Sequence, residues 1–180
     1  MGLPARRVLA VAGCALLLSL LGCGTDDSEP DRAAPPPLTI ENPKDASGSG
    51  PCTLLSDEQL SRLGSAAGSP FQGKLGPGCA WRGDGSPSDG SPTVTIMVAK
   101  KTGLQTLASD SDPATARVRI AGYPALETFT RQGKYCRYDL GNAPDQVLVA
   151  TMTGGTPDSC QALQPILNDV VEGLPAYPAE

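Results

Sequence analysis

Apolar residues follow three patterns along this chain: one unbroken run, stretches that alternate, and stretches at helical spacing. The unbroken run covers residues 8–21 and is followed by a polar stretch, 24–51, rich in Asp, Pro, Gly and Ser. Alternation is clearest over residues 93–99, where Val94, Ile96 and Val98 share one face. Residues 116–120 repeat it, with Val118 and Ile120 opposite Arg117 and Arg119. Side chains on a strand point to alternate faces, so both stretches predict strands with one buried side. Further strands are predicted at 79–82, 125–130, 135–140 and 146–153, separated by turns containing Gly, Pro or Asn.

Two stretches have helical spacing. Leu55, Leu60 and Leu63 mark a short opening helix, with Ser56 as N-cap, Gln59 three residues on, and Gly64 at its end. Residues 103–109 predict a single helical turn. Cys160, Leu163, Ile166, Leu167, Val170, Val171 and Leu174 mark a longer helix near the C-terminus. Its predicted start has Thr156 as N-cap, Pro157 at the first helical position and Asp158 complementing the dipole, and Gly173 and Pro175 stop it. Pro165 removes one backbone donor and is predicted to kink or split it.

The expected fold is α+β. It has a short N-terminal helix, a mostly antiparallel sheet of five to six strands, and a C-terminal helix packed on one sheet face. Turns this short cannot make parallel crossovers. The expected organisation is a leader at 1–22, an acidic Pro/Gly/Ser-rich tether at 23–51, one domain at 52–177 and a tail at 178–180.

The apolar run is too short for the ~20 helical residues that cross a bilayer, and Arg6 and Arg7 precede it. That is the make-up of a signal peptide. Two cysteines end lipobox-like stretches, Cys14 and Cys23. Cleavage at Cys14 would leave residues 15–21 as an exposed apolar segment, whereas cleavage at Cys23 removes the run whole. Cys23 is therefore the expected site of lipidation by diacylglycerol and palmitate, with more than one acyl chain giving firm anchoring. The expected location is the outer face of the cytoplasmic membrane.

The formal charge is −5 before the two leader arginines are removed. An acidic chain lacks the electrostatic footprint of a nucleic-acid binder, so the expected partners are the membrane, through lipid, and an envelope ligand or protein. Four cysteines remain in the domain: Cys52, Cys79, Cys136 and Cys160. An even number in an exported chain predicts two disulfides, and the wide spacing argues against a four-thiolate zinc site. Three connectivities are open, of which Cys52–Cys79 and Cys136–Cys160 is preferred.

At these residues the chain resembles a family of small actinobacterial lipoproteins of unknown function. The resemblance rests on the lipobox at Cys23, Cys52-Thr53-Leu54-Leu55, Gly78-Cys79-Ala80-Trp81, Gly122-Tyr123-Pro124-Ala125, Cys136-Arg137-Tyr138, and the stretch from Cys160 to Leu174-Pro175. It implies export, lipidation and two disulfides; it supplies no activity, so no functional residue is carried over from it. The architecture is also similar to the extracytoplasmic sensor domains of actinobacterial receptor kinases, a likeness of fold that carries no function.

The chain has no histidine. That removes Ser-His-Asp and Cys-His nucleophiles and the imidazole ligands of most catalytic zinc sites. No Ser-x-x-Lys, nucleophile elbow or phosphate loop occurs, and no cofactor is expected. Two strand acids, Glu127 and Asp139, remain as a candidate pair for glycoside hydrolysis. Residues 84–91 are oxygen-rich but lack the calcium-loop pattern, and read as a solvated loop. Lys100 and Lys101 read as a solvated strand end or as a contact for an acidic wall polymer. Trp81, Tyr123, Tyr135 and Tyr138 either pack the core or line a pocket for a lipid, sugar or peptide. The leading expectation is a non-catalytic envelope module that binds a ligand or partner. The alternatives are a carrier holding an apolar lipid between the sheet and the last helix, and a carboxylate-based cell-wall enzyme.

Overall fold

The computed structural model describes residues 37–65, 67–85, 91–111, 115–130, 135–154 and 158–178. The leader, Cys14 and Cys23 lie outside them, as do Thr156 and Pro157. In chain order the elements are a 3-10 turn Pro51–Thr53, α1 Asp57–Arg62, β1 Ser69–Gln72, β2 Pro77–Arg82, β3 Thr93–Lys100 and α2 Leu104–Ser109. They continue with β4 Ala116–Ile120, β5 Tyr123–Phe129, β6 Tyr135–Ala143, β7 Gln146–Thr153 and α3 Ser159–Gly173.

The strands form one sheet in the order β1-β2-β3-β7-β6-β5-β4, with every neighbouring pair antiparallel. Two meanders, β1 to β3 and β4 to β7, are joined along β3 and β7, which pair over their full length from Thr93↔Thr153 to Lys100↔Gln146. The sheet thus has seven strands, not five to six. The additional strand is β1, Ser69-Pro70-Phe71-Gln72, within a stretch that composition reads as loop. As an edge strand bonded to β2 alone, it can hold a proline.

The two sheet faces are covered differently. Cys79, Trp81, Val94, Ile96, Val98, Leu140, Leu148 and Ala150 face α3, whose Leu163, Leu167, Val170 and Val171 are buried against them. On the other face a smaller cluster of Ala99, Leu126, Val147 and Val149 sits under Leu104 of α2 and Leu38. β7 lies at the centre of the sheet and is buried on both faces from Gln146 to Ala150.

All three predicted helical stretches form, but α3 starts at Ser159 with Asp158 at its N-cap, later than the expected start at Thr156 and Pro157. Ser56 Oγ accepts from the Gln59 backbone, and the Gln59 side chain accepts from the Ser56 backbone N–H, a complete capping box. α3 is continuous from Ser159 to Gly173 and is not split at Pro165. The proline lies on the exposed face and costs one backbone bond, while the opposite, buried face holds the helix to the sheet.

The folded unit begins earlier than its expected start at Cys52. The expected tether is, over residues 38–47, part of the packed structure. Ala46 is fully buried. The Lys44 backbone donates to Asn142 O at 2.7 Å, that of Asp45 to Pro175 O at 2.8 Å, and that of Ala46 to Gln146 Oε1 at 3.0 Å. Returning bonds run from Asn142 Nδ2 to Lys44 O at 2.8 Å and from Tyr177 N to Pro43 O at 2.9 Å. Asn142 sits where β6 shifts register between Gly141 and Ala143, and such an irregularity frees backbone groups for partners outside the ladder.

Candidate functional site

The disulfides are Cys52–Cys79 and Cys136–Cys160. Cys79 and Cys136 are fully buried on the α3 face. The first bridge ties the 3-10 turn to β2, and the second ties β6 to the first turn of α3. The four thiols are therefore committed in pairs, and among the described residues no group of three or more His, Cys, Asp or Glu is placed to hold a metal. The oxygen-rich loop falls largely outside the described residues.

The four candidate aromatic residues do not converge. Trp81 is 1% exposed, packed against the Gly68 backbone beside Cys79. Tyr138 is buried on the α3 face, and its phenol donates to Glu127 Oε2 at 2.5 Å. Burial, reinforced by the hydrogen bond to Glu127 and its charge, pushes that phenol well above its ordinary value of 10. Tyr123 is half-buried at the start of β5 and donates to Asn42 O at 2.6 Å, and partial burial raises its pKa. Tyr135 stands at the start of β6, lining two surface pockets.

Nor do the two candidate acids meet. The register pairs Glu127 with Tyr138 and Leu126 with Asp139. Glu127 therefore shares the Tyr138 face, and Asp139, one residue on, points to the opposite face. Asp139 is nearly buried and accepts from Arg137 Nε at 2.9 Å and Nη2 at 2.8 Å. Burial raises the Asp139 pKa, and the Arg137 guanidinium opposes that rise. A water or sugar between Glu127 and Asp139 would have to pass through the sheet, so they cannot act as paired hydrolytic carboxylates. The space where a lipid carrier would hold its cargo is filled by the side chains packed between α3 and the sheet.

Polar groups converge instead on the face away from α3. A cavity of about 300 Å³ is lined by Leu107, Asp110 and Ser111 at the end of α2, by Thr115, Thr128 and Tyr135, and by Arg137 and Asp139. Thr128 and Arg137 are cross-strand partners, and Thr115 and Thr128 share a hydrogen bond of 3.2 Å. On the opposite, α3 side of the sheet, Tyr135 also borders a second concavity of about 200 Å³, lined by Glu127, Phe129, Asp158, Ser159, Cys160 and Gln161. Phe129, 56% exposed, is the large hydrophobic side chain that the described residues leave open to solvent. Arg137 and Thr128 were not among the sequence candidates. Alternation in Cys136-Arg137-Tyr138-Asp139 does place Arg137 and Asp139 together on the face away from the buried cysteine. The cover that α2 gives them is not legible there. A separate apolar groove, about 340 Å³, runs between α1 and α3 past Leu63, Pro92, Met152 and Ile166.

Lys100 Nζ donates to Ser47 O at 3.1 Å, and Lys101 adopts a positive φ at the strand end. No described helix is long and apolar enough to cross a membrane. No curated protein and no solved structure matches the chain. The sequence pattern of DUF3558, a family described as proteins of unknown function, matches residues 9–172. With nearly its whole length matched, the chain belongs to the DUF3558 family.

Proposed function

We propose that this protein is an exported lipoprotein, anchored at the outer face of the cytoplasmic membrane through acylated Cys23. Its domain serves as a non-catalytic binding module for an envelope ligand or partner. The observation that carries the reading is the pair of disulfides embedded in the core, since such bonds persist in oxidising compartments. It is supported by the apolar run behind Arg6 and Arg7 and by the lipobox at Cys23. The binding role is supported by a concave site bearing a few convergent polar groups on a disulfide-braced sheet. The absence of histidine and the opposed placement of Glu127 and Asp139 favour binding over hydrolysis.

The test is fractionation of cells expressing the chain and its Cys23→Ala variant, with metabolic labelling by an alkyne analogue of palmitate. The parent chain is expected in the membrane fraction carrying the label, and the variant is expected to lose both. Equal retention of the two chains would refute anchoring through Cys23.

A further inference from the structure

Resting on the binding-module reading for the existence of a partner, we infer that the free edge of β4 takes up an extended protein segment with acidic residues at alternate positions. The segment adds an eighth strand to the sheet. β4 is the last strand and pairs with β5 alone, with Arg119 opposite Pro124 and Arg117 opposite Leu126. Proline has no N–H, so Arg119 and Pro124 cannot exchange a pair of ladder bonds. Alternation then assigns the bonded positions to Ile120↔Tyr123, Val118↔Ala125 and Ala116↔Glu127. The two-residue turn Ala121-Gly122, with both residues at positive φ, closes on such a bonded pair. The backbone N–H and C=O groups of Arg117 and Arg119 therefore point away from β5, along the open edge. Among the described residues no segment pairs with them.

The two edges of the sheet differ. β1 has four residues and carries Pro70, a feature that protects an edge against pairing. β4 has neither a proline nor a register shift. Its unpaired amides and carbonyls alternate at strand spacing, and another extended polypeptide matches that row in full.

Charge narrows the partner. Arg117 and Arg119 are both exposed, and their register with Leu126 and Pro124 puts them together on the α2 side of the sheet. Arg119 donates to the Gly122 carbonyl, and among the described residues neither arginine forms a salt bridge. Residues directly opposite them on an added strand share their face, so acids at alternate positions meet both guanidiniums. The residue between those acids falls beside Val118, half-buried at the margin of the α3 core, where an apolar side chain fits. A second copy of β4 paired about Val118 would set arginine against arginine, so the same charges that attract an acidic strand disfavour self-pairing.

The test uses the full chain in detergent micelles with three blocked peptides: Thr-Glu-Val-Glu-Val-Thr, its Lys-for-Glu counterpart, and the Glu peptide N-methylated at both glutamates. The Glu peptide is expected to bind with Kd at or below about 1 mM, and the other two at least about tenfold more weakly. Amide exchange followed by NMR should show Val118 and Ile120 protected in the free chain and Arg117 and Arg119 unprotected. Peptide at ten times its Kd should slow the two arginine amides about tenfold. Arg117→Glu combined with Arg119→Glu, both exposed, should reverse the preference toward the Lys peptide. Equal binding of the methylated peptide would reduce the contact to ionic adsorption and overturn the inference, as would arginine amides that gain no protection; both readouts use the parent chain. A chain that stays lipid-labelled in membranes yet ignores the Glu peptide loses this site alone. A chain that carries no label loses the anchoring, whatever its edge binds.

Discussion

Tyr138 and Glu127 face each other across β5 and β6, the buried phenol donating to the half-buried carboxylate at 2.5 Å. This contact makes Glu127 a partner of the core rather than a free acid. A hydrogen bond to a charged group contributes about 1.5–3 kcal/mol, most of which is lost when one partner is deleted. Tyr138→Phe is therefore expected to destabilise the domain by about 1–2 kcal/mol. A double-mutant cycle with Glu127→Gln, measured by urea denaturation, should show coupling, and additive losses would place the two residues in separate environments.

The disulfides close loops with sequence separations of 27 and 24 residues. In the loop-entropy account each contributes about 3–4 kcal/mol. Cys136 and Cys160 changed together to Ser should lower the denaturation free energy by that amount, and non-reducing peptide mapping should recover Cys52 joined to Cys79.

Residues 38–47 clamp the end of the sheet to the segment after α3. A chain starting at Cys52 loses the backbone bonds of Lys44, Asp45 and Ala46 and uncovers Asn142 and Gln146, both buried. Compared with a chain starting at Pro37, it is expected to lose at least about 2 kcal/mol, since each lost bond is worth roughly 1 kcal/mol. Equal thermal midpoints would show that the segment is dispensable.

Acid acts on this clamp. The Ser47 hydroxyl, then the Gln146 amide and the Ser47 backbone N–H, hold the Asp45 carboxyl below its ordinary 3.8. A lowered folded-state pKa adds stability above 3.8 that is lost as pH falls through the folded value. The advantage of the parent over Asp45→Asn should therefore be full at pH 6 and shrink below pH 3.8. Asp139, raised mainly by burial, acts in the opposite sense. Its contribution is complete below 3.8 and declines as pH rises through its folded value, so comparison with Asp139→Asn should slope the other way.

Gly68 passes directly over the first disulfide. A Cβ there would stand 2.3 Å from Cys79 Sγ and 2.5 Å from Trp81 Nε1, closer than atoms can pack. Gly68→Ala is expected to cost about 1–3 kcal/mol through overpacking, read as a lower thermal midpoint. Trp81→Ala, which empties the same site, should cost about 3–5 kcal/mol.

Local chemistry was enough to read much of this molecule from its residues in order. Ser56 and Gln59 announce a helix start because the capping box lies within four residues. Val94, Ile96 and Val98 announce a strand because alternation is a property of the backbone itself. Seven apolar positions at helical spacing, from Cys160 to Leu174, announce α3, whatever Pro165 costs it. What the order of residues could not decide is anything set by pairing at a distance. The β3–β7 junction, the edge strand at Pro70 and the burial of Ala46 depend on partners tens of residues away. The same holds for the site. Composition put Glu127 and Asp139 in one list, but the register of β5 on β6 sends them to opposite faces. The cover from α2 then builds a polar cavity around Arg137 that no local pattern contains, because a pocket is a relation between surfaces that only folding brings together.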